Sequence, residues 1–315
     1  MKKVKVLVTG GGGEGAIGLI RILKELGAEV FSCDITEFAS GLYLADKWFI
    51  VPKAKEKQVF VKEIERIVKE NKINVILCMV HDELSIFASL KEEFKKRLNC
   101  DIITSPTRTI EVCNDKVKTI NALKLIVPCP EIYEDKINYP CFIKLRSSSG
   151  TKNAFIVNDV DELNVVLMSL KKKNIGRDDL IIQEYLPGKE YTVDVLCDFN
   201  GNLIVAVPRQ RILVKGGICV IGKTEKNKGI IDYVKKITEE LSFFGPINIQ
   251  FKEDSDGMPK LLEINPRFSG GLMITLLSGV NTLEFLLKLL YNEKLDKSEL
   301  EWEEKTVFRH LTEVV

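Results

Sequence analysis

The chain has 315 residues, and its 46 Lys and Arg against 45 Asp and Glu give a formal net charge of +1. This length allows two or three units with their own cores, and the balanced charge argues against the basic surface of nucleic-acid-binding proteins. The eight cysteines form no C-x-x-C pair and only two histidines are present, which argues against zinc and favours a reducing compartment. With no signal peptide and no apolar run of about 20 residues, we expect a cytoplasmic protein that binds neither nucleic acid nor membrane.

Strand and helix patterns alternate over the first hundred residues, beginning with the strand VKVLVTG and the helix AIGLIRILKELG. Such alternation predicts right-handed βαβ units and an open parallel sheet. We therefore expect an α/β domain over residues 1–105.

The turn between that first strand and helix is rich in glycine. GEGAIG at residues 13–18 satisfies the G-x-G-x-x-G pattern of dinucleotide-binding turns, and Asp34 ends the next apolar run. One hypothesis is therefore a nicotinamide-dependent oxidoreductase. The alternative is a tight strand-to-helix turn that needs glycine whether or not a ligand binds there, and the domain is short for a dinucleotide fold.

The pattern changes at the break SPT, residues 105–107. Short helical pieces and a compact α+β unit follow, which we assign to a small subdomain over residues 106–186. From Glu190 the strands lengthen and alternate apolar with polar residues, which indicates an antiparallel sheet. We therefore expect a large C-terminal subdomain over residues 187–315.

Two lysines of the small subdomain are candidates for binding phosphate. Lys116 lies in NDKVKT, and Lys144 ends an apolar strand that the loop RSSSG follows. A lysine beside a small polar loop can place a cation and several N–H groups on a triphosphate. Taken singly, each lysine is more often a surface residue.

The stretch IIQEYLPGKEYTVDV contains a candidate nucleotide edge. Its first strand ends in residues 183–186 and its second begins at Glu190. The first could offer an edge to adenine and the second a carboxylate to the ribose. By itself, the stretch is also typical of a plain hairpin with polar ends.

The segment LLEINPRFSGG carries the most specific pattern. Glu263 and Asn265 are two apart on a strand and so share a face, and Gln250 lies near them if NIQF pairs with that strand. Oxygen donors grouped in this way suit Mg²⁺. Arg267 follows the strand, where it can meet charge on a phosphoryl group in transfer.

These motifs together resemble the ATP-grasp superfamily, and the glycine-rich opening resembles its N-terminal pre-ATP-grasp domain. LLEINPRFSGG and PINIQF are most similar to the synthetase halves of the carbamoyl phosphate synthase large chain. The resemblance covers nearly the whole chain, which corresponds to one stand-alone synthetase unit, so we do not expect carbamoyl phosphate itself as the product. It implies an open parallel α/β domain followed by a two-part ATP-grasp fold with antiparallel sheets.

The activity that the resemblance implies is an ADP-forming ligase that joins a small-molecule carboxylate to an amine, or to a thiol, through an acyl-phosphate. It implies ATP and Mg²⁺ as cofactors, with Mn²⁺ able to replace Mg²⁺. A homodimer is one assembly that the resemblance allows. The alternatives are the nicotinamide enzyme and an ATP-binding regulator without activity.

The resemblance also implies a set of site residues. For catalysis they are Arg267, Lys144 and Asn265, and for the metal Gln250, Glu263 and Asn265. For the nucleotide they are Lys116, Lys144, Ser147, Ser148, Ser149, Gly150, Thr151, Gln183, Glu184, Tyr185, Leu186, Glu190 and Arg211. Gln183 and Glu184 compete for the adenine role. The loop 146–153 is expected to be mobile until ATP orders it, and Arg209, Arg211 and Lys215 are candidates for the carboxylate substrate or for phosphate.

Overall fold

The computed structural model describes residues 4–147, 153–310 and 312–314, and it confirms the mixed α/β class. A parallel sheet comes first along the chain and two antiparallel sheets follow. The strands of the three sheets fall within the segments 1–105, 106–186 and 187–315. The domain boundaries themselves stay a prediction.

The first sheet is five-stranded and wholly parallel, with the strand order β3-β2-β1-β4-β5. Its strands are β1 (Lys5–Thr9), β2 (Glu29–Asp34), β3 (Lys47–Ile50), β4 (Val75–Leu77) and β5 (Asp101–Ile103), and its helices are α1 (Glu14–Glu25), α2 (Lys57–Asn71) and α3 (Leu84–Leu98). Apolar residues recur in α1 at helical spacing, so that Ala16, Leu19, Ile20 and Leu23 are buried on one side.

The second sheet has three strands in the order β7-β6-β8. These are β6 (Cys141–Leu145), β7 (Phe155–Val157) and β8 (Leu180–Glu184), accompanied by α4 (Thr107–Cys113), α5 (Lys116–Leu123) and α6 (Val160–Lys172). The side chain of Asp115 caps α5 by accepting hydrogen bonds from the backbone N–H groups of Val117 and Lys118. This cap fixes Lys116 in the first turn of the helix.

The third sheet is six-stranded, in the order β13-β12-β9-β10-β11-β14. It contains β9 (Glu190–Cys197), β10 (Leu203–Lys215), β11 (Ile218–Thr224), β12 (Gly245–Glu253), β13 (Pro259–Asn265) and β14 (Thr306–Phe308), with helices α7 (Lys228–Glu240), α8 (Leu272–Leu276) and α9 (Thr282–Leu290). Short 3-10 turns elsewhere span Ser40–Leu44, His81–Glu83, Arg177–Asp179 and Lys297–Leu300. Alternate residues of the sheet, among them Val193, Ile249 and Ile264, pack against Ile230 and Val234 of α7. The opposite face is therefore free to carry polar side chains.

The N-terminal domain shares a hydrophobic core with the large subdomain. Leu19 and Leu23 of α1 belong to one buried cluster with Leu272 of α8 and Leu283 and Leu286 of α9. None of the helices in the described part of the chain combines the length and the apolar character that crossing a membrane requires.

Candidate active site

The polar face of the six-stranded sheet aligns its functional side chains in rows. Gln250 on β12 stands opposite Glu263 on β13 and opposite Thr192 on β9, and Thr192 stands opposite Arg209 on β10. In the next row, Asn248 stands between Asn265 and Asp194. Because directly opposite residues of a sheet share a face, carboxylates, amides and a guanidinium are brought together.

This face, the small sheet and the N-terminal domain enclose a cavity of about 410 Å³. The sequence-predicted site residues that line it are Lys116, Lys144, Gln183, Glu184, Tyr185, Leu186, Glu190, Arg209, Arg211, Gln250, Glu263, Asn265 and Arg267. Ser147 is not among the lining residues, Lys215 is exposed outside the cavity wall, and the predicted loop residues Ser148 to Thr151 lie outside the described residues.

Glu263 is a carboxylate surrounded by basic side chains in the cavity. Its Oε2 lies 3.7 Å from Nζ of Lys116, and its Oε1 accepts a hydrogen bond of 3.0 Å from Nδ2 of Asn265. Burial acts to raise the pKa of this carboxyl, but Lys116, Lys144 and the bond from Asn265 together bring its pKa below the ordinary value. Glu263 is therefore an anion at neutral pH.

Two further cations act on Glu263, the buried Lys144 and the half-buried Arg267. Nζ of Lys144 donates to the carbonyl oxygen of Leu262 at 3.4 Å, and burial lowers the pKa of the Lys144 ammonium to about 8, with Glu263 opposing the shift. Burial also lowers the pKa of Arg267 from its ordinary value. Arg267 donates from Nη1 to the carbonyl oxygen of Phe268 at 3.0 Å, while its buried Nε has no hydrogen-bond partner among the described residues.

The donor set around Glu263 fits a magnesium ion. One carboxylate and the amides of Gln250 and Asn265 supply the hard oxygen donors that Mg²⁺ takes, and phosphate oxygens of a substrate would complete its shell. Within the described ranges, no cluster of three or more His, Cys, Asp or Glu side chains could hold a metal by itself. The residues present therefore suit a metal that arrives with a phosphate ligand.

Gln183 and Glu184 are placed differently although they are neighbours. Both carboxylate oxygens of Glu184 accept hydrogen bonds from Nζ of Lys260, at 2.6 and 2.8 Å. Gln183 stands opposite Phe142 and so shares the sheet face of Lys144; it is 1% exposed, and its Oε1 has no partner within the described chain. The geometry therefore favours Gln183 as the side chain with a free amide oxygen toward the cavity.

The second half of the predicted hinge carries an ion pair. Nε of Arg211 lies 3.1 Å from Oε1 of Glu190, although without hydrogen-bond alignment, and Nη2 of Arg211 donates to the carbonyl oxygen of Gly217 at 2.8 Å. Nζ of Lys252 sits 5.8 Å from the ring centre of Tyr185, a cation–π distance. These contacts order the side chains between the two antiparallel sheets.

The glycine-rich turn is explained by packing. A Cβ atom on Gly15 would lie 2.6 Å from the carbonyl oxygen of Ser269, and one on Gly18 would lie 2.5 Å from Cγ of Met273. The carboxylate of Asp34 accepts hydrogen bonds from the backbone N–H of Gly12 at 2.8 Å and of Ile35 at 2.7 Å. The two features that suggested a nicotinamide cofactor thus serve close packing and the turn itself.

Sequence reasoning did not find the buried network at the floor of the cavity. Arg209, 1% exposed, donates to Asp194 at 2.7 Å and to the hydroxyl of Ser269 at 2.7 Å, and Asp194 also accepts from Thr275. Further lining residues that the sequence analysis did not single out are Thr192, Asn248 and Lys252. For Asn248 and Lys252 the signal is the alternation of polar with apolar residues in INIQFK, which marks a strand with one polar face. Thr192 lies in a similar alternation, TVDV, on the neighbouring strand.

Asp194→Ala is expected to lower the free energy of unfolding by about 3–5 kcal/mol, because it leaves the Arg209 guanidinium buried without its carboxylate. Urea denaturation followed by circular dichroism measures the change. Glu70→Ala, which removes an exposed ion pair with Arg66, is the control, with an expected loss below about 1 kcal/mol. Equal losses in the two variants would contradict the structural role of the buried pair.

Family models match both parts of the chain. Residues 176–314 match the model described as "ATP-grasp in the biosynthetic pathway with Ter operon", and residues 6–103 match "PylC-like, N-terminal domain". The chain therefore contains an ATP-grasp domain that follows a PylC-like N-terminal domain.

Curated relatives of this chain include carbamoyl phosphate synthase large chains. The large chain of Clostridium botulinum (strain Loch Maree / Type A3) is 26% identical to this chain over an alignment of 329 positions. The alignment covers 94% of this chain and 30% of the relative. That of Clostridium perfringens (strain 13 / Type A) is 27% identical over 169 residues, which cover 51% of this chain and 16% of the relative. The chain thus spans about a third of the length of these relatives or less.

Solved structures share the fold. The biotin carboxylase domain dimer of Hydrogenobacter thermophilus 2-oxoglutarate carboxylase, in complex with MgADP, ADP and bicarbonate, superposes with a TM-score of 0.74 at 19% identity, covering 95% of this chain and 72% of that chain. N5-carboxyaminoimidazole synthetase from Staphylococcus aureus gives a TM-score of 0.70 at 16% identity, covering 94% and 79%.

Proposed function

We propose that this protein is an ATP-dependent ligase that activates a small-molecule carboxylate as an acyl-phosphate, releases ADP and phosphate, and joins the acyl group to an amine or, less favoured, a thiol. One observation carries the proposal. Glu263, Asn265 and Gln250 share one sheet face, and Lys116, Lys144 and Arg267 surround them in a single cavity.

The nucleotide lies between the two antiparallel sheets in this proposal. The adenine side is formed by the backbone of Tyr185 and Leu186 and by the side chain of Gln183, whose amide oxygen is free. Glu190 holds the ribose, with Arg211 fixing its carboxylate at 3.1 Å. Glu184 supports this edge through Lys260.

The phosphates lie over Lys116 and Lys144, which both line the cavity. A magnesium ion held by Glu263, Asn265 and Gln250 would neutralise charge on the terminal phosphates. The substrate carboxylate attacks the γ-phosphorus, the bond to ADP breaks, and Arg267 meets the charge that develops on the transferred group. The amine then attacks the acyl carbon and phosphate leaves with the electron pair of the C–O bond.

The match of residues 176–314 to an ATP-grasp model supports this reaction class, and so does the complex of the Hydrogenobacter relative with MgADP and bicarbonate. That relative is bound to an anion, bicarbonate, together with its nucleotide, and the cationic lining of this cavity suits an anionic substrate. A homodimer stays a prediction for the assembly.

Mg–ATP is expected to bind in the micromolar range and NAD not to bind, because the cavity supplies phosphate-binding lysines while Asp34 is occupied by the backbone of its own turn. Isothermal titration calorimetry with each nucleotide makes the comparison. Micromolar binding of NAD without binding of ATP would overturn the proposal. A screen of small acids and amino acids for ADP release then finds the carboxylate.

A further inference from the structure

The wall of the cavity that the N-terminal domain contributes differs in charge from the other walls. Its described lining residues are Gly13, Glu14, Gly15 and Met79, so Glu14 provides its charge. The basic lining residues all come from the two ATP-grasp subdomains: Lys116, Lys144, Arg209, Arg211, Lys252 and Arg267. The N-terminal domain therefore contributes one carboxylate to a cavity whose basic residues lie on its other walls.

Glu14 lies beside the segment that follows Arg267 in the chain. Its Cβ is 3.9 Å from the point that a Cβ on Gly270 would occupy, and Gly15 packs against the carbonyl of Ser269. The contacted residues follow Arg267 by only two and three positions. Glu14 is thus beside the segment that we assign to phosphoryl transfer.

Arg309, just after β14, holds the Glu14 carboxylate from behind. Its Nη2 donates to Oε2 of Glu14 at 2.9 Å, and its Nη1 is 3.3 Å from the carbonyl oxygens of both Cys219 and Gly270. Glu14, Cys219 and Gly270 line the cavity, whereas Arg309 does not. Oε1 of Glu14 has no hydrogen-bond partner among the described residues, and the side chain is 42% exposed.

The other carboxylates of the cavity wall form ion pairs with basic side chains, and the proposed function gives each of these carboxylates a role. Glu184 is bound by Lys260, Glu190 by Arg211 and Glu263 by Lys116. Glu14 is paired as well, but its partner Arg309 lies outside the cavity lining and leaves Oε1 of Glu14 without a partner among the described residues. Nothing in the binding of ATP or in the activation of the acid requires it.

We propose that Glu14 is the binding residue for the acceptor amine, and that Arg309 is the positioning residue that orients it. The inference rests on the proposed ligase function. Oε1 of Glu14 accepts a hydrogen bond from this amine and turns its lone pair toward the acyl carbon. A thiol, a weak donor, gains much less from such an acceptor.

Calorimetric titration of the full chain, loaded with Mg²⁺ and the non-hydrolysable β,γ-imido analogue of ATP, tests the inference directly. The probes are the twenty amino acids, ethanolamine and putrescine. The unmodified protein is expected to bind at least one of them. Glu14→Ala and Glu14→Gln should weaken that binding about tenfold or more, the effect of one lost hydrogen bond to a charged group, and leave the affinity for the nucleotide analogue unchanged.

Two further variants separate binding from support. Glu284→Gln removes a first-turn carboxylate of α9 that pairs with Lys288 at 3.0 Å, and it should change neither affinity. Arg309→Lys should retain more amine affinity than Arg309→Ala. A lysine keeps the ion pair with Glu14 but cannot also donate to the carbonyl oxygens of Cys219 and Gly270 as the guanidinium does. In steady-state assays with the same amine, Glu14→Gln should raise its KM and spare the KM for ATP.

Failure of the inference and failure of the proposed function give different results. Full amine affinity in Glu14→Ala, or binding of none of the probes to the unmodified protein, overturns the assignment of Glu14 while nucleotide binding can still be normal. Absence of Mg–ATP binding overturns the ligase itself. Thermal unfolding of each variant shows that the fold is retained.

Discussion

Glu263→Gln is expected to lower the rate of ADP release by about 10²–10³-fold, the usual cost of removing a contact that stabilises charge in a transition state. Arg267→Ala should have a similar effect. Both residues lie where the terminal phosphoryl group is proposed to move, so the loss falls on turnover more than on ground-state binding of the nucleotide. A fluorescent adenine nucleotide should therefore still bind both variants.

Coupled measurement of ADP release, with the acid found in the screen, gives the turnover. Glu253→Gln is a suitable control, since Glu253 lies on β12 but outside the cavity wall, where it accepts from Tyr191 at 3.2 Å. Hydroxylamine should trap the activated acid in the unmodified protein as its hydroxamate. Full turnover in either site variant, or formation of AMP in place of ADP, would show that the mechanism is wrong.

The affinity for Mg–ATP is expected to fall about tenfold between pH 7 and pH 9, because Lys144 binds phosphate only as an ammonium ion and burial lowers its pKa to about 8. Lys144→Arg should remove most of this dependence, since a guanidinium stays charged throughout the range. Nucleotide titrations at several pH values measure the effect. An unchanged affinity in the unmodified protein up to pH 9 would contradict a phosphate role for this lysine.

The same shift predicts an opposite effect on stability. The pKa of Lys144 is lower in the folded chain than the ordinary 10.5 of an exposed lysine, so folding disfavours its charged form. The resulting destabilisation is fully present below about pH 8 and disappears as the pH rises toward 10.5. Lys144→Met should therefore unfold at a higher urea concentration than the unmodified protein at pH 7, while losing ATP affinity.

Local sequence was enough to predict those parts of the site that one strand determines. Glu263 and Asn265 share a face because they are two apart on β13, and Gln250 joins them through a hairpin with a short turn. The open parallel sheet followed from strands and helices that alternate along the chain. In each case the interacting residues are close in sequence, or their spacing fixes their direction.

Long-range contacts account for what the sequence did not reveal. Arg209 was a candidate for substrate binding, but its partners Asp194 and Ser269 depend on the pairing of β9 with β10 and on a loop sixty residues away. Gly15 and Gly18 suggested a phosphate turn, and the reason for their small size lies at Ser269 and Met273, more than 250 positions along the chain. No local pattern encodes contacts of this kind.

The core that α1 shares with α8 and α9 has a consequence for how such a protein can evolve. Leu19 and Leu23 pack with Leu272 and Leu283 at the seam between α1 and these two helices. A Cβ on Gly15 would lie 2.6 Å from the carbonyl oxygen of Ser269, and one on Gly18 would lie 2.5 Å from Cγ of Met273. A recombination that exchanged the first hundred residues for those of another parallel domain would bring mismatched side chains to this seam. We therefore expect a new substrate preference to arise more easily from single changes on the cavity wall than from exchange of whole domains.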